Sequence, residues 1–126
     1  MAKKILVVDD DLYIRELYEE VLKTAGYDVQ TAVDGVEGLR KLKEGGFDLV
    51  FLDVIMPKVD GLGVLRELSR NPPLKKNGPV ILLSNLGNES LTQEAIKNGA
   101  SDYLTKADIT PDKLLAYAKK YLAGSK

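Results

Sequence analysis

The chain of 126 residues contains no cysteine and no histidine. The first absence excludes disulfides and thiolate metal sites. The second removes imidazole metal ligands, histidine general bases and any Ser-His-Asp triad. An excess of charge of one sign is also missing. Eighteen basic residues face 19 acidic ones, a net charge of -1, so the totals offer no basic face for direct contact with nucleic acid. Long apolar runs are absent too. The N-terminus, MAKKILVVDDD, has two lysines and only a short apolar run before its acids, which is neither a signal peptide nor a membrane span. What is present is a composition 44% hydrophobic, over a length suited to one globular domain with one continuous core. The expectation is a single domain over residues 1–126, cytoplasmic and without membrane insertion.

Apolar periodicity alternates between two kinds of element. Ile5–Val8 is a buried strand flanked by Lys3-Lys4 and Asp9-Asp10-Asp11. Ile14, Leu17, Tyr18, Val21, Leu22 and Ala25 then recur at helical spacing, stopped by Gly26. Tyr27–Ala32 alternates like an edge strand, and Asp34-Gly-Val-Glu37 opens a second helix that ends at Gly45-Gly46. Asp48–Asp53 is a third strand. Asp60-Gly61 starts a third helix, which ends before Asn71-Pro72-Pro73, and Leu74–Gly78 is a loop. Pro79–Leu83 is a fourth strand, Asn88 or Ser90 caps a fourth helix, and Ser101–Thr105 is a fifth strand. Thr110-Pro111-Asp112 starts a fifth helix, and Gly124-Ser125-Lys126 is a fraying tail. Strands separated by helices pair in parallel, and five such units are too few for an eight-stranded barrel. The fold class is therefore α/β: a doubly wound, flavodoxin-like (βα)5 sandwich with strand order 2-1-3-4-5 assumed.

In such a sheet ligands bind at the carboxyl ends of the strands. Asp9, Asp10 and Asp11 follow the first strand, Asp53 ends the third, Ser84-Asn85 follows the fourth and Lys106 follows the fifth. With the first and third strands as neighbours, Asp9, Asp10 and Asp53 converge and repel one another unless a cation lies between them. Oxygen ligands without histidine or cysteine point to Mg²⁺, with Mn²⁺ or Ca²⁺ as substitutes. A divalent cation, a lysine and a hydroxyl around one carboxylate make a phosphoryl site, in which Asp53 is the nucleophile and an acyl phosphate the product. Each residue alone has an ordinary reading. Asp10 or Asp11 caps the first helix, Lys106 is a solvated lysine, Ser84 a turn residue and Asp53 an Asx-turn residue. The conjunction carries the argument.

Those residues resemble the receiver (CheY-like) domain of two-component response regulators, over essentially the whole chain. ILVVDDD resembles the family's first strand and acidic pair, FLDVIMPKVDG its phospho-acceptor strand and loop, and GASDYLTK the segment before its lysine. The resemblance implies acceptor Asp53, helper residues Ser84 and Lys106, and a switch made of Ser84 and Tyr103. It implies Mg²⁺ held by Asp10, Asp53 and the backbone carbonyl of Ile55, with Asp9 acting through water. The partners implied are a sensor histidine kinase or histidine phosphotransfer protein as donor, and a downstream target protein. That target would read the face of the fourth helix, fifth strand and fifth helix after Tyr103 turns inward. Three positions depart from the family pattern. Ala107 stands where proline is usual, so a trans Lys106–Ala107 bond and an altered loop up to Thr110 are expected. Asn85 replaces a small residue and would narrow access to Asp53. Ile55 and Leu86 are apolar where polar side chains orient water, so slow self-dephosphorylation is expected. A stand-alone receiver without an output domain is the expected organisation. The rival functions are a receiver-like binding module that is not phosphorylated, a flavin carrier and an aspartyl-nucleophile phosphatase. The flavin carrier is disfavoured because Asp9-Asp10-Asp11 would repel its phosphate. The phosphatase uses Asp9 and Asp11 but leaves Asp53, Ser84 and Lys106 unexplained.

Overall fold

The computed structural model describes residues 2–123. Five strands alternate with five helices: β1 (Lys4–Val8), α1 (Leu12–Thr24), β2 (Asp28–Ala32), α2 (Gly35–Glu44), β3 (Leu49–Asp53), α3 (Gly61–Arg70), β4 (Val80–Ser84), α4 (Glu89–Lys97), β5 (Asp102–Thr105) and α5 (Pro111–Ala123). The strands form one sheet in the order β2-β1-β3-β4-β5, all pairs parallel. This is the expected doubly wound arrangement, with β1 beside β3. The tail expected at Gly124–Lys126 lies outside the described residues. Among the described residues, no helix is long and apolar enough to cross a membrane.

Side-chain alternation divides the core into two layers. Leu6, Val8, Val50, Leu52 and Leu82 point toward Leu42 of α2, Leu62 and Leu65 of α3, and Ala95 of α4. Ile5, Val7, Leu49, Phe51, Ile81 and Leu83 point the other way, toward Tyr18 and Leu22 of α1 and Leu114, Ala118 and Leu122 of α5. The inner strands are buried on both faces, which is why they read as continuous apolar runs. The sheet is therefore packed on both faces, and its carboxyl end forms the platform for the loops.

Local chemistry sets the ends of the elements, and several move by one residue from expectation. β3 begins at Leu49 because the Asp48 carboxylate accepts a 2.8 Å hydrogen bond from the Lys4 backbone N–H. β4 begins at Val80, and Pro79 stays outside as an acceptor for the Val50 N–H at 3.0 Å. Asp34 caps α2 by accepting from Glu37 N–H at 2.9 Å, and Glu37 reaches back to Val33 N–H at 2.8 Å, a capping box shifted by one position. Asp60 caps α3 and Thr110 caps α5. Asn88 occupies the cap position of α4, but its side chain makes no capping bond and Ser90 lies inside the helix. The capping expected of Asn88 or Ser90 is thus absent. The α4 start is held by backbone and by Thr92 instead, through bonds from Thr92 N and Oγ1 to the Asn88 carbonyl.

Candidate functional site

The three acids after β1 divide the work. Asp11 caps α1, accepting from Ile14 N–H at 3.2 Å. Asp10 is exposed. Asp9 is fully buried, and its Oδ1 accepts from Asp11 N–H at 2.9 Å. The Arg15 guanidinium, one turn into α1, donates to the Asp9 carbonyl at 2.8 Å and fixes the backbone there. Next door, β3 delivers Asp53, only 3% exposed. Its Oδ1 accepts from Ile55 N–H at 3.2 Å and its Oδ2 from Lys106 Nζ at 2.8 Å. Lys106 begins a 3-10 turn (Lys106–Asp108) directly after β5, and its ammonium also lies 2.8 Å from Asp9 Oδ2. One carboxylate oxygen each from Asp9, Asp10 and Asp53 lie within 4.8 Å of one another. Gly61 lets α3 start against this strand end, because a Cβ there would come within 2.6 Å of the Asp53 carbonyl oxygen.

The charges are held at a cost. Burial, with the charge of Asp9 added, pushes the Asp53 carboxyl up from 3.8 to about 6 in spite of Lys106. Burial alone would lower the Lys106 ammonium, but its bonds to Asp53 and Asp9 outweigh that and hold it above its ordinary value. Beneath them, burial followed by the charge of Asp9 raises the Tyr18 hydroxyl to about 12, so it stays protonated. Asp9 Oδ2 is buried and lacks an aligned hydrogen bond although the ammonium is close. A buried carboxylate oxygen met only by that ammonium, beside two further carboxylates and with oxygen donors only, fits a hard divalent cation such as Mg²⁺ or Mn²⁺.

Across the crevice Ser84, 6% exposed, ends β4. Its Oγ lies 2.9 Å from Thr92 Oγ1 and 3.3 Å from the Asn85 carbonyl. Tyr103 on β5 is 44% exposed, its ring outside the core. The structure thus gathers Asp9, Asp10, Asp53 and Lys106 in one cluster and leaves Ser84 and Tyr103 beside it, bonded or turned elsewhere.

Residues 5–119 match the model of the response regulator receiver domain. The chain belongs to that family. Among receiver relatives, the chemotaxis protein CheY of Treponema pallidum (strain Nichols) is 40% identical over 106 residues, 82% of this chain and 72% of that protein. The probable transcriptional regulator ycf27 of Cyanophora paradoxa is 41% identical over 120 residues, 95% of this chain but 48% of the regulator, so the chain spans about half of that relative. The crystal structure of a CheY-like receiver domain protein from Methanospirillum hungatei JF-1 superposes with a TM-score of 0.86 at 28% identity, covering 98% of this chain and 95% of that one.

The three positions singled out in the sequence lie on loops after β3, β4 and β5. The Lys106–Ala107 bond is trans, and the 3-10 turn occupies the altered stretch before Thr110. Asn85 is exposed and, with Ser84 and Leu86, borders a recess of about 210 Å³. Ile55 and Leu86 are 44% and 81% exposed, apolar side chains on the loops after β3 and β4. Two contributors escaped the sequence reading. Arg15 looked like a solvated helix residue, and nothing local signals its reach to Asp9. Thr92 was legible in part, since it falls three residues before Ala95 on the inward stripe of α4, where a hydroxyl needs a partner.

Proposed function

We propose that this receiver accepts a phosphoryl group on Asp53 from the phosphohistidine of a sensor kinase or histidine phosphotransfer protein, and signals to a downstream protein through the face of α4, β5 and α5. The observation that carries this is Lys106, whose ammonium lies 2.8 Å from both Asp9 and Asp53 at the ends of three strands. A carboxylate oxygen of Asp53 attacks phosphorus. The phosphorus–nitrogen bond breaks, and its electron pair leaves with the donor's imidazole. Lys106 meets the charge on the transferred oxygens, and the backbone N–H of Ile55 holds the carboxylate that attacks. Asp10, Asp53 and the Ile55 carbonyl, with Asp9 through water, would hold Mg²⁺, which would further neutralise that charge. Ser84 then donates to a phosphoryl oxygen and Tyr103 turns inward, changing the outer face. The side chains of Ile55 and Leu86 offer no hydrogen bond to an incoming water, so the acyl phosphate is long-lived. The protein acts in the cytoplasm.

The test is incubation with acetyl phosphate, with and without Mg²⁺, read by intact mass. One phosphoryl group is expected on the wild type with Mg²⁺ and none on Asp53→Asn. Wild-type protein that stays unmodified, with Mg²⁺ present, would favour the unphosphorylated binding module instead.

A further inference from the structure

Ser84 and Thr92 are 6% and 3% exposed, and their hydroxyl oxygens are 2.9 Å apart. Each hydroxyl has a single proton to give. Thr92 spends its own on the Asn88 carbonyl, 2.9 Å away and one helical turn back. The Ser84 proton then has two acceptors: Thr92 Oγ1 at 2.9 Å and the Asn85 carbonyl at 3.3 Å, which already receives the Asn88 N–H at 3.2 Å. The shorter and less occupied acceptor is Thr92. The relay therefore runs from Ser84 to Thr92 to Asn88, and it ties the end of β4 to the first turn of α4. Steric confinement does not hold Ser84 there. A recess of about 210 Å³ opens beside the pair, bordered by Asn85, Glu89, Gln93, Tyr103 and Thr105.

From this we infer that Thr92 is a positioning residue, a latch that keeps the Ser84 hydroxyl pointed away from Asp53 until a phosphoryl group competes for its proton. The inference rests on the phospho-acceptor reading of Asp53 and adds what sets the switch's balance. To donate toward Asp53, Ser84 must give up Thr92. Thr92 keeps its own bond to Asn88 and loses only a donor at one lone pair, so the change leaves no buried donor orphaned. A bond made in one state and broken in the other biases the equilibrium by its own strength, and no more. A buried neutral hydroxyl bond of ordinary strength corresponds to about a fivefold shift.

The experiment compares wild type, Thr92→Val and Thr92→Ser in the full chain. Binding of beryllofluoride in saturating Mg²⁺ is measured by titration calorimetry, and binding of Mg²⁺ alone is measured separately. Valine preserves the shape and the backbone N–H bond to Asn88 but cannot accept from Ser84. Thr92→Val is expected to bind beryllofluoride about fivefold more tightly than wild type, with Mg²⁺ affinity unchanged. Thr92→Ser, which restores the acceptor, is expected to return to the wild-type value. A merely structural role would not tighten one ligand while sparing the other. Beryllofluoride affinity in Thr92→Val equal to or weaker than wild type overturns the latch, the weaker result meaning that Thr92 supports the active orientation. A wild type that binds Mg²⁺ but no beryllofluoride overturns the phospho-acceptor reading, and the latch with it.

Discussion

Asp53→Asn is expected to stabilise the metal-free protein at neutral pH. Asp53 is 3% exposed, and burial with the nearby charge of Asp9 pushes its carboxyl from 3.8 to about 6. Keeping it ionised in the folded state therefore costs about 3 kcal/mol relative to the unfolded chain. Asparagine has nearly the same shape without the charge, and Lys106 keeps Asp9 at 2.8 Å. Allowing for imperfect hydrogen bonding of the amide, the gain is about 1–3 kcal/mol. At roughly 4 °C per kcal/mol for a chain of this size, the thermal midpoint should rise by about 4–12 °C. The pH dependence follows from the sign of the shift. A folded-state value raised above the unfolded one contributes stability that is fully present below about pH 4 and is lost as the pH rises through about 6. The advantage of the variant should thus open between those limits and vanish in acid. Other carboxylates, including Asp34 and Glu67, whose bonds to neighbouring groups lower them, are common to both proteins and cancel in the difference. Urea unfolding in chelator across that range measures the gap. Adding Mg²⁺ should narrow it, because the wild type gains more. A variant less stable than wild type in chelator at neutral pH, or a gap that ignores pH, would refute the reasoning.

Lys106→Met leaves buried Asp9 and Asp53 without their cation, and a loss of about 3 kcal/mol is expected in chelator, with Mg²⁺ binding tightened because the competing ammonium is gone; unchanged unfolding midpoints would contradict this. Gly35→Ala places a Cβ against the Val59 carbonyl oxygen and so pushes on the loop that follows β3. It should cost about 1–3 kcal/mol and weaken Mg²⁺ binding, both readable in one set of denaturation curves with and without the metal. Ile55→Asn gives an attacking water a hydrogen-bond partner beside Asp53, and loss of phosphoryl mass after removal of acetyl phosphate should be faster than in wild type.

The fold was legible because its signals are local. Apolar runs, caps and glycine stops repeat within short windows, and the doubly wound order follows once the strands are parallel. The cluster of Asp9, Asp53 and Lys106 was legible for a different reason: a carboxylate at the end of a buried strand has few places to go. What stayed hidden depended on distant partners. Asp48 leaves β3 because its acceptor oxygens meet Lys4, 44 residues away in the chain. The division among Asp9, Asp10 and Asp11 was open, because spacing alone does not say which acid turns inward. The role of Thr92 needed the phase of α4 relative to the end of β4, which periodicity fixes only to within a residue.

Lys106 follows the last strand of the sheet, while the acids it compensates follow β1 and end β3. Position along the chain becomes order in time when a protein is made from its N-terminus. A growing chain that has released β1 to β4 already holds two carboxylates bound for the interior and lacks the lysine that pairs with both. Closing the sheet at that stage would bury uncompensated charge. Closure of the sheet is thus favoured once β5 arrives, and the residue that serves the phosphoryl site in the finished protein also offsets the charge its core encloses.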